Sequence, residues 1–124
     1  MKTQNYKKGK IGEEIAARHL RNKGFKILEQ NFNTRFGELD LICIDNNILV
    51  FVEVKLKVGE SFGTPEEMVS SRKLFQVQRT AQSYLLKNRD LQAQYPQHRI
   101  DVVAIVVNIN KEVERVDHYE NVGF

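Results

Sequence analysis

The chain has one cysteine, Cys43, so neither an internal disulfide nor a cysteine-based zinc cluster is open to it. Cys43 falls inside an apolar run, where a buried, reduced thiol is the expected state. No apolar stretch is long enough to span a bilayer and no leader-like pattern opens the chain, which points to a cytoplasmic protein without membrane attachment. Nor is there an internal repeat. Charge of one sign is also in short supply: nineteen Lys and Arg against sixteen Asp and Glu leave a formal charge of +3. That balance permits a nucleic-acid partner without demanding one. His19, His98 and His118 show no metal-ligand spacing and read as incidental. At 124 residues the chain reads as one domain around one core, with residues 1–9, polar and lysine-rich, as a flexible tail.

What is present is a sequence of short, well-punctuated elements. Residues 11–23 read as a helix closed by Gly24. A first strand is expected over 25–32 and a turn over 31–37. Two apolar runs follow, 38–45 and 48–55, separated only by Asn46 and Asn47. Asparagine tolerates the positive φ that a two-residue hairpin turn needs. Apart from their open end both runs are apolar on each face, with Leu39, Leu41, Val50, Val52 and Val54 on one side and Ile42, Ile44, Leu49 and Phe51 on the other. Such strands belong in a sheet covered by helices on both sides. Residues 57–65 read as a mobile loop, 64–67 as a cap for a short helical turn, and Ser70 as the N-cap of a main helix over 71–88. Val69 and Leu74 form its hydrophobic staple, and Leu74, Val77, Ala81, Tyr84 and Leu85 its buried stripe. A polar connection over 89–99 contains Pro96, and strands are expected over 100–107 and, at a sheet edge, over 112–116. The order αβββαββ defines an α/β fold with a mixed central sheet of about five strands flanked by helices.

The hairpin concentrates charge at its open end. With Asn46 and Asn47 as the turn, Asp40 stands opposite Glu53 and Glu38 opposite Lys55. Facing β-carbons in such a ladder are roughly 5 Å apart, so the two carboxylates repel unless something offsets the repulsion. A divalent cation such as Mg²⁺, which takes carboxylate oxygens and keeps several waters, would do so. Lys55 projects from the same face as Glu53. Two carboxylates and an ammonium beside a metal are the parts of a phosphodiester-cleaving site. The same four charges also fit a surface salt network in which Glu38 pairs with Lys55 and Asp40 reaches solvent. In the first helix, at about 100° per residue, Glu13 falls within the apolar arc and Glu14 outside it. Glu13 is therefore the better third acid, although a glutamate whose stem reaches back to water fits the pattern equally. Asp101, at the start of a core strand, is assigned to strand-end hydrogen bonding ahead of support for the acidic cluster.

These residues carry a resemblance. A helix Glu, a strand Asp and a Glu-x-Lys on the next strand resemble the PD-(D/E)xK nuclease superfamily with its restriction-endonuclease-like core. Gly12-Glu13, the stretch Gly37 to Ile42, Phe51 to Lys55, Phe62-Gly63 and Arg99 to Val103 are similar to the bacterial YraN-like family of predicted endonucleases, distant relatives of archaeal Holliday-junction resolvases. The likeness covers roughly residues 8–107. It departs where Lys57 replaces a frequent arginine and Ile100 a frequent aromatic. Lys57 keeps the charge but lacks the planar two-pronged donor. The resemblance implies a metal-dependent endodeoxyribonuclease, acting on DNA rather than RNA and on branched or structured forms. Asp40, Glu53, the Val54 backbone carbonyl and Glu13 would hold Mg²⁺ or Mn²⁺, Lys55 would serve the reacting phosphate, and Glu38 would hold Lys55 in place. Lys57, Lys73 and Arg72 are candidates for the nucleic-acid backbone, each readable also as a solvated charge. The 59–65 loop would close over substrate, and a homodimer would suit a junction substrate. An unidentified protein partner is compatible with the pattern. So is a non-catalytic module that binds nucleic acid or protein on a nuclease-like fold.

Overall fold

The computed structural model describes residues 2–59 and 69–123, with side chains from residue 9 onward. Most of the loop expected over 57–65, the cap over 64–67 and Phe62-Gly63 lie outside the described residues. The elements are α1 (Lys2–Asn22), β1 (Lys26–Thr34), β2 (Gly37–Asp45), β3 (Ile48–Val58), α2 (Ser71–Lys87), α3 (Arg89–Gln94), β4 (Gln97–Val107) and β5 (Val113–Tyr119). The five strands form one sheet in the order β1-β2-β3-β4-β5. Only β3 and β4 pair in parallel. That pairing demands a crossover, and α2 lies within it. The architecture is the mixed, helix-flanked α/β sheet expected from the sequence.

Each sheet face has its own core. Ala16, Ala17 and Leu20 of α1 pack on Leu41, Cys43, Val50, Val52, Val103 and Ile105. On the opposite face Val77, Ala81, Tyr84 and Leu85 of α2 cover Ile42, Leu49, Phe51 and Ile100. Strands buried on both faces explain why the two hairpin runs are almost continuously apolar. Burial pushes the Cys43 thiol up to about 12, and the group is a small core hydrophobe. The Ser70 side chain accepts from the Lys73 amide at 3.1 Å and starts α2 as expected.

Several boundaries differ from the sequence reading. Helix α1 begins at Lys2, well ahead of the apolar periodicity. Strand β1 continues to Thr34, leaving only Arg35 and Phe36 as the turn. It does so by placing Asn31 at φ 58° and by shifting register between Ile27 and Glu29, irregularities that look like loop chemistry in the sequence. The polar connection before β4 contains the short helix α3, and β5 runs on to Tyr119. Leu39 packs with the α2-side core instead of with Leu41. Its partner Phe32 lies on that same side, at the end where β2 pairs with β1 but no longer with β3. A two-stranded ribbon twists more strongly than a sheet interior, and the twist turns Leu39 over.

Candidate metal centre

The hairpin register is the expected one from Asp45–Ile48 through Leu41–Val52, and there the ladder stops. One residue further, Asp40 does not pair with Glu53 as a rung. Its Oδ2 accepts the Val54 amide at 2.7 Å, so a side chain takes the place of the lost backbone bond. The strands part at this point. Asp40 and Glu53 are nevertheless brought together, close enough for their carboxyl groups to hydrogen-bond. Burial first, and the neighbouring Glu53 carboxylate second, push Asp40 up to about 8. Lys73, in the first turn of α2, approaches Glu53 Oε2 at 3.4 Å.

Helix α1 supplies the next acid. Gly12 lies against β3, where a Cβ would stand 3.5 Å from Leu56 and 3.6 Å from Val54. The close approach delivers Glu13 to the point where β2 and β3 separate. Glu13 is buried at 8 % exposure and Glu14 faces solvent. Glu13, Glu38 and Asp40 present carboxylate oxygens that all lie within 4.8 Å of one another. Burial, then Asp40 and Glu38, push Glu13 up to about 7, while a hydrogen bond from Asn31 works the other way. Burial and Asp40 also raise Glu38. Glu13, Asp40, Val54 and Lys55 share the lining of one depression of about 300 Å³.

Of the residues singled out in the sequence, Glu13, Glu38, Asp40, Glu53 and Lys55 arrive at one place. Glu38 was expected to hold Lys55, but makes no ion pair with it and belongs to the carboxylate trio. Glu53 stands beside the trio, on the Lys73 side. Lys73, a candidate for the nucleic-acid backbone or a solvated charge, has its ammonium 3.4 Å from Glu53 Oε2. Lys57 is exposed near the end of β3, and Arg72 is exposed on α2. Asn31 was missed: an asparagine in a polar stretch gave no sign that it would reach Glu13.

Oxygen donors of this kind suit a hard cation. Glu13 Oε1 is buried and receives no hydrogen bond, and neither does Glu53 Oε2, which has only the Lys73 ammonium 3.4 Å away. Buried carboxylate oxygens without partners are costly, and a divalent ion would satisfy them. The donor set thus fits a hard divalent cation.

A second polar centre lies away from the cluster. The fully buried Asp101 accepts from Arg99 Nε at 2.9 Å and from the Asn121 amide at 2.9 Å, and its Oδ2 lies 2.8 Å from His118 Nε2. Arg99 reaches on to Asp45 at 2.9 Å. Burial would raise Asp101, but His118, Arg99 and the Asn121 amide outweigh it and hold the carboxyl below its ordinary value. Asp101 is thus a structural acid, as expected. His118 is not incidental: it fastens β5 to β4, a link no spacing rule in the sequence reveals.

Fold and cluster define an α/β protein with a mixed five-stranded sheet and an acidic centre where its hairpin opens. The chain belongs to the uncharacterised protein family UPF0102, whose description matches residues 12–105. It is 44 % identical over 117 residues to a UPF0102 protein of Syntrophomonas wolfei, covering 94 % of this chain and 97 % of that one. It is 48 % identical over 101 residues to a UPF0102 protein of Persephonella marina, covering 82 % and 84 %. A third relative, from Fervidobacterium nodosum, is 41 % identical over 123 residues, 97 % of this chain and 84 % of its own. Among the described residues no helix is long and apolar enough to cross a membrane.

Proposed function

We propose that the protein is a metal-dependent endonuclease that hydrolyses phosphodiester bonds in DNA, on a PD-(D/E)xK-type core of the YraN-like kind. The observation that carries this reading is the cluster of mutually repelling carboxylates at the parting of β2 and β3, in which Glu13 and Glu53 are buried and Glu13 Oε1 has no partner. A surface salt network would not leave Glu13 Oε1 buried without a partner. Glu13, Asp40 and Glu53, with the Val54 carbonyl, would hold Mg²⁺ or Mn²⁺, and Glu38 would join them. When bound, the ion supplies Lewis acidity to the scissile phosphate and lowers the pKa of a water. Lys55, on the rim of the same depression, orients that water and stabilises charge developing on the phosphate. Lys73 holds the Glu53 carboxylate in place from α2.

The test is cleavage of single-stranded, duplex, flapped and four-way-junction DNA in Mn²⁺ and then Mg²⁺, with Glu53→Ala beside the wild type. Cutting by the wild type alone is expected. Loss of more than about a hundredfold corresponds to roughly 2.7 kcal/mol of transition-state stabilisation. No cutting, together with no Mn²⁺-dependent rise in melting temperature, would overturn the reading and leave a non-catalytic binding module.

A further inference from the structure

The turn between β1 and β2 and the exposed side of α2 enclose a groove of about 500 Å³ with a composition unlike the acidic depression. Arg35, Arg72 and Arg79 line it together with Phe36 and Phe75. The Arg79 guanidinium lies 4.3 Å from the Phe36 ring centroid and 5.6 Å from that of Phe75. Arg35 lies 5.0 Å from the Phe36 centroid. Cation and ring are thus stacked in alternation, and the stack ends in Phe75, left 48 % exposed. Cation–π attraction holds the guanidinium groups on the rings, and the exposed Phe75 ring gains nothing from water. None of the three arginines forms an ion pair with an acid among the described residues.

We infer that this groove binds an unpaired stretch of DNA, with a nucleobase stacked on Phe75 and the neighbouring phosphates on Arg35, Arg72 and Arg79. Aromatic rings and guanidinium planes are the platforms on which unstacked bases rest, and arginine charge tracks the backbone. A continuous duplex keeps its base faces covered and offers Phe75 nothing to stack on. The groove adjoins the acidic cluster along two elements. Phe36 is two residues from Glu38 on the way into β2, and Arg72 precedes Lys73, which contacts Glu53. A strand held here therefore leads toward the carboxylates. The choice of DNA, and the direction toward a cut, rest on the function proposed above, whereas the stacking site does not. On that function it makes the substrate one with a single-stranded segment beside the scissile bond, a flap or a junction arm.

The experiment is fluorescence anisotropy of labelled oligothymidylate, the same backbone made abasic, a blunt duplex of equal length and oligouridylate, all in EDTA so that neither metal nor cleavage enters. Wild type is compared with Phe75→Ala and Phe75→Trp. Phe75→Ala should weaken oligothymidylate binding roughly 5- to 140-fold, the equivalent of about 1–3 kcal/mol per stacked base. It should leave abasic and duplex binding within about twofold, and Phe75→Trp should retain the wild-type affinity. Equal losses on all probes, unchanged oligothymidylate binding, or no binding by the wild type would overturn the proposal. Preference for oligouridylate would overturn its assignment to DNA. Cleavage without Phe75 dependence would sink this inference and spare the nuclease, while stacking without metal-dependent cleavage would do the reverse.

Discussion

Glu13 and Asp40 hold protons that ordinary carboxyl groups have lost by neutral pH, pushed up to about 7 and about 8 chiefly by burial. The folded chain therefore binds protons more tightly than the unfolded chain across the interval from about 4 to about 8. Stability from these groups is present at the acid end and declines as pH rises toward the folded-state values. Without metal, the protein should melt at a lower temperature at about pH 8 than at about pH 6. Asp40→Asn should flatten that dependence, and Mn²⁺ should restore stability at the alkaline end by replacing the protons. A melting temperature that rises with pH in the metal-free protein would count against these raised values. The sequence made much of this legible: the helical arc separates Glu13 from Glu14, and the Asn46-Asn47 turn brings Asp40 to Glu53. It could not reveal that Glu38 joins the trio, because that depends on where β2 leaves β3. No propensity marks a point where two apolar strands stop pairing.

At the scale of elements, the sheet is held at its β4–β5 end by Asp101 and its partners. Arg99 spans Asp45 at the end of β2, Asp101 on β4 and Glu120 beyond β5. Removing one partner of a buried ion pair costs about 3–5 kcal/mol, and Arg99→Ala should lower the urea-unfolding free energy by that order. A loss below about 1 kcal/mol would mean that water replaces the guanidinium. Because Asp101 is held below its ordinary pKa, its contribution is present above the unfolded value and lost as pH falls through the folded one. Acid unfolding should therefore begin at this end of the sheet, visible as early loss of amide protection in β5. Elements with long periodicity or a clear cap, such as α2 with Ser70, were readable in the sequence. Six-residue α3 was not, since so short a helix carries too few turns for a period. The β1 turn was misplaced because Asn31 has turn chemistry but serves within a strand.

The whole molecule is close to charge balance, yet its charges are sorted: carboxylates gather in one depression and arginines in the neighbouring groove. Single-stranded DNA binding should respond to salt with a log–log slope near −2, as three phosphate contacts at about −0.7 each require. Arg72→Ala should reduce the slope by about 0.7, and an unchanged slope would remove Arg72 from the contact set. The place where the hairpin ladder ends carries a consequence for reading the relatives. Asp40 latches β3 through the Val54 amide whether or not any chemistry takes place. A lineage that abandoned catalysis would still keep an acid there to hold its sheet together. Survival of that aspartate in a relative is thus weak testimony to activity. Glu13, with an oxygen no neighbour satisfies, would be the first to drift once the ion is no longer needed.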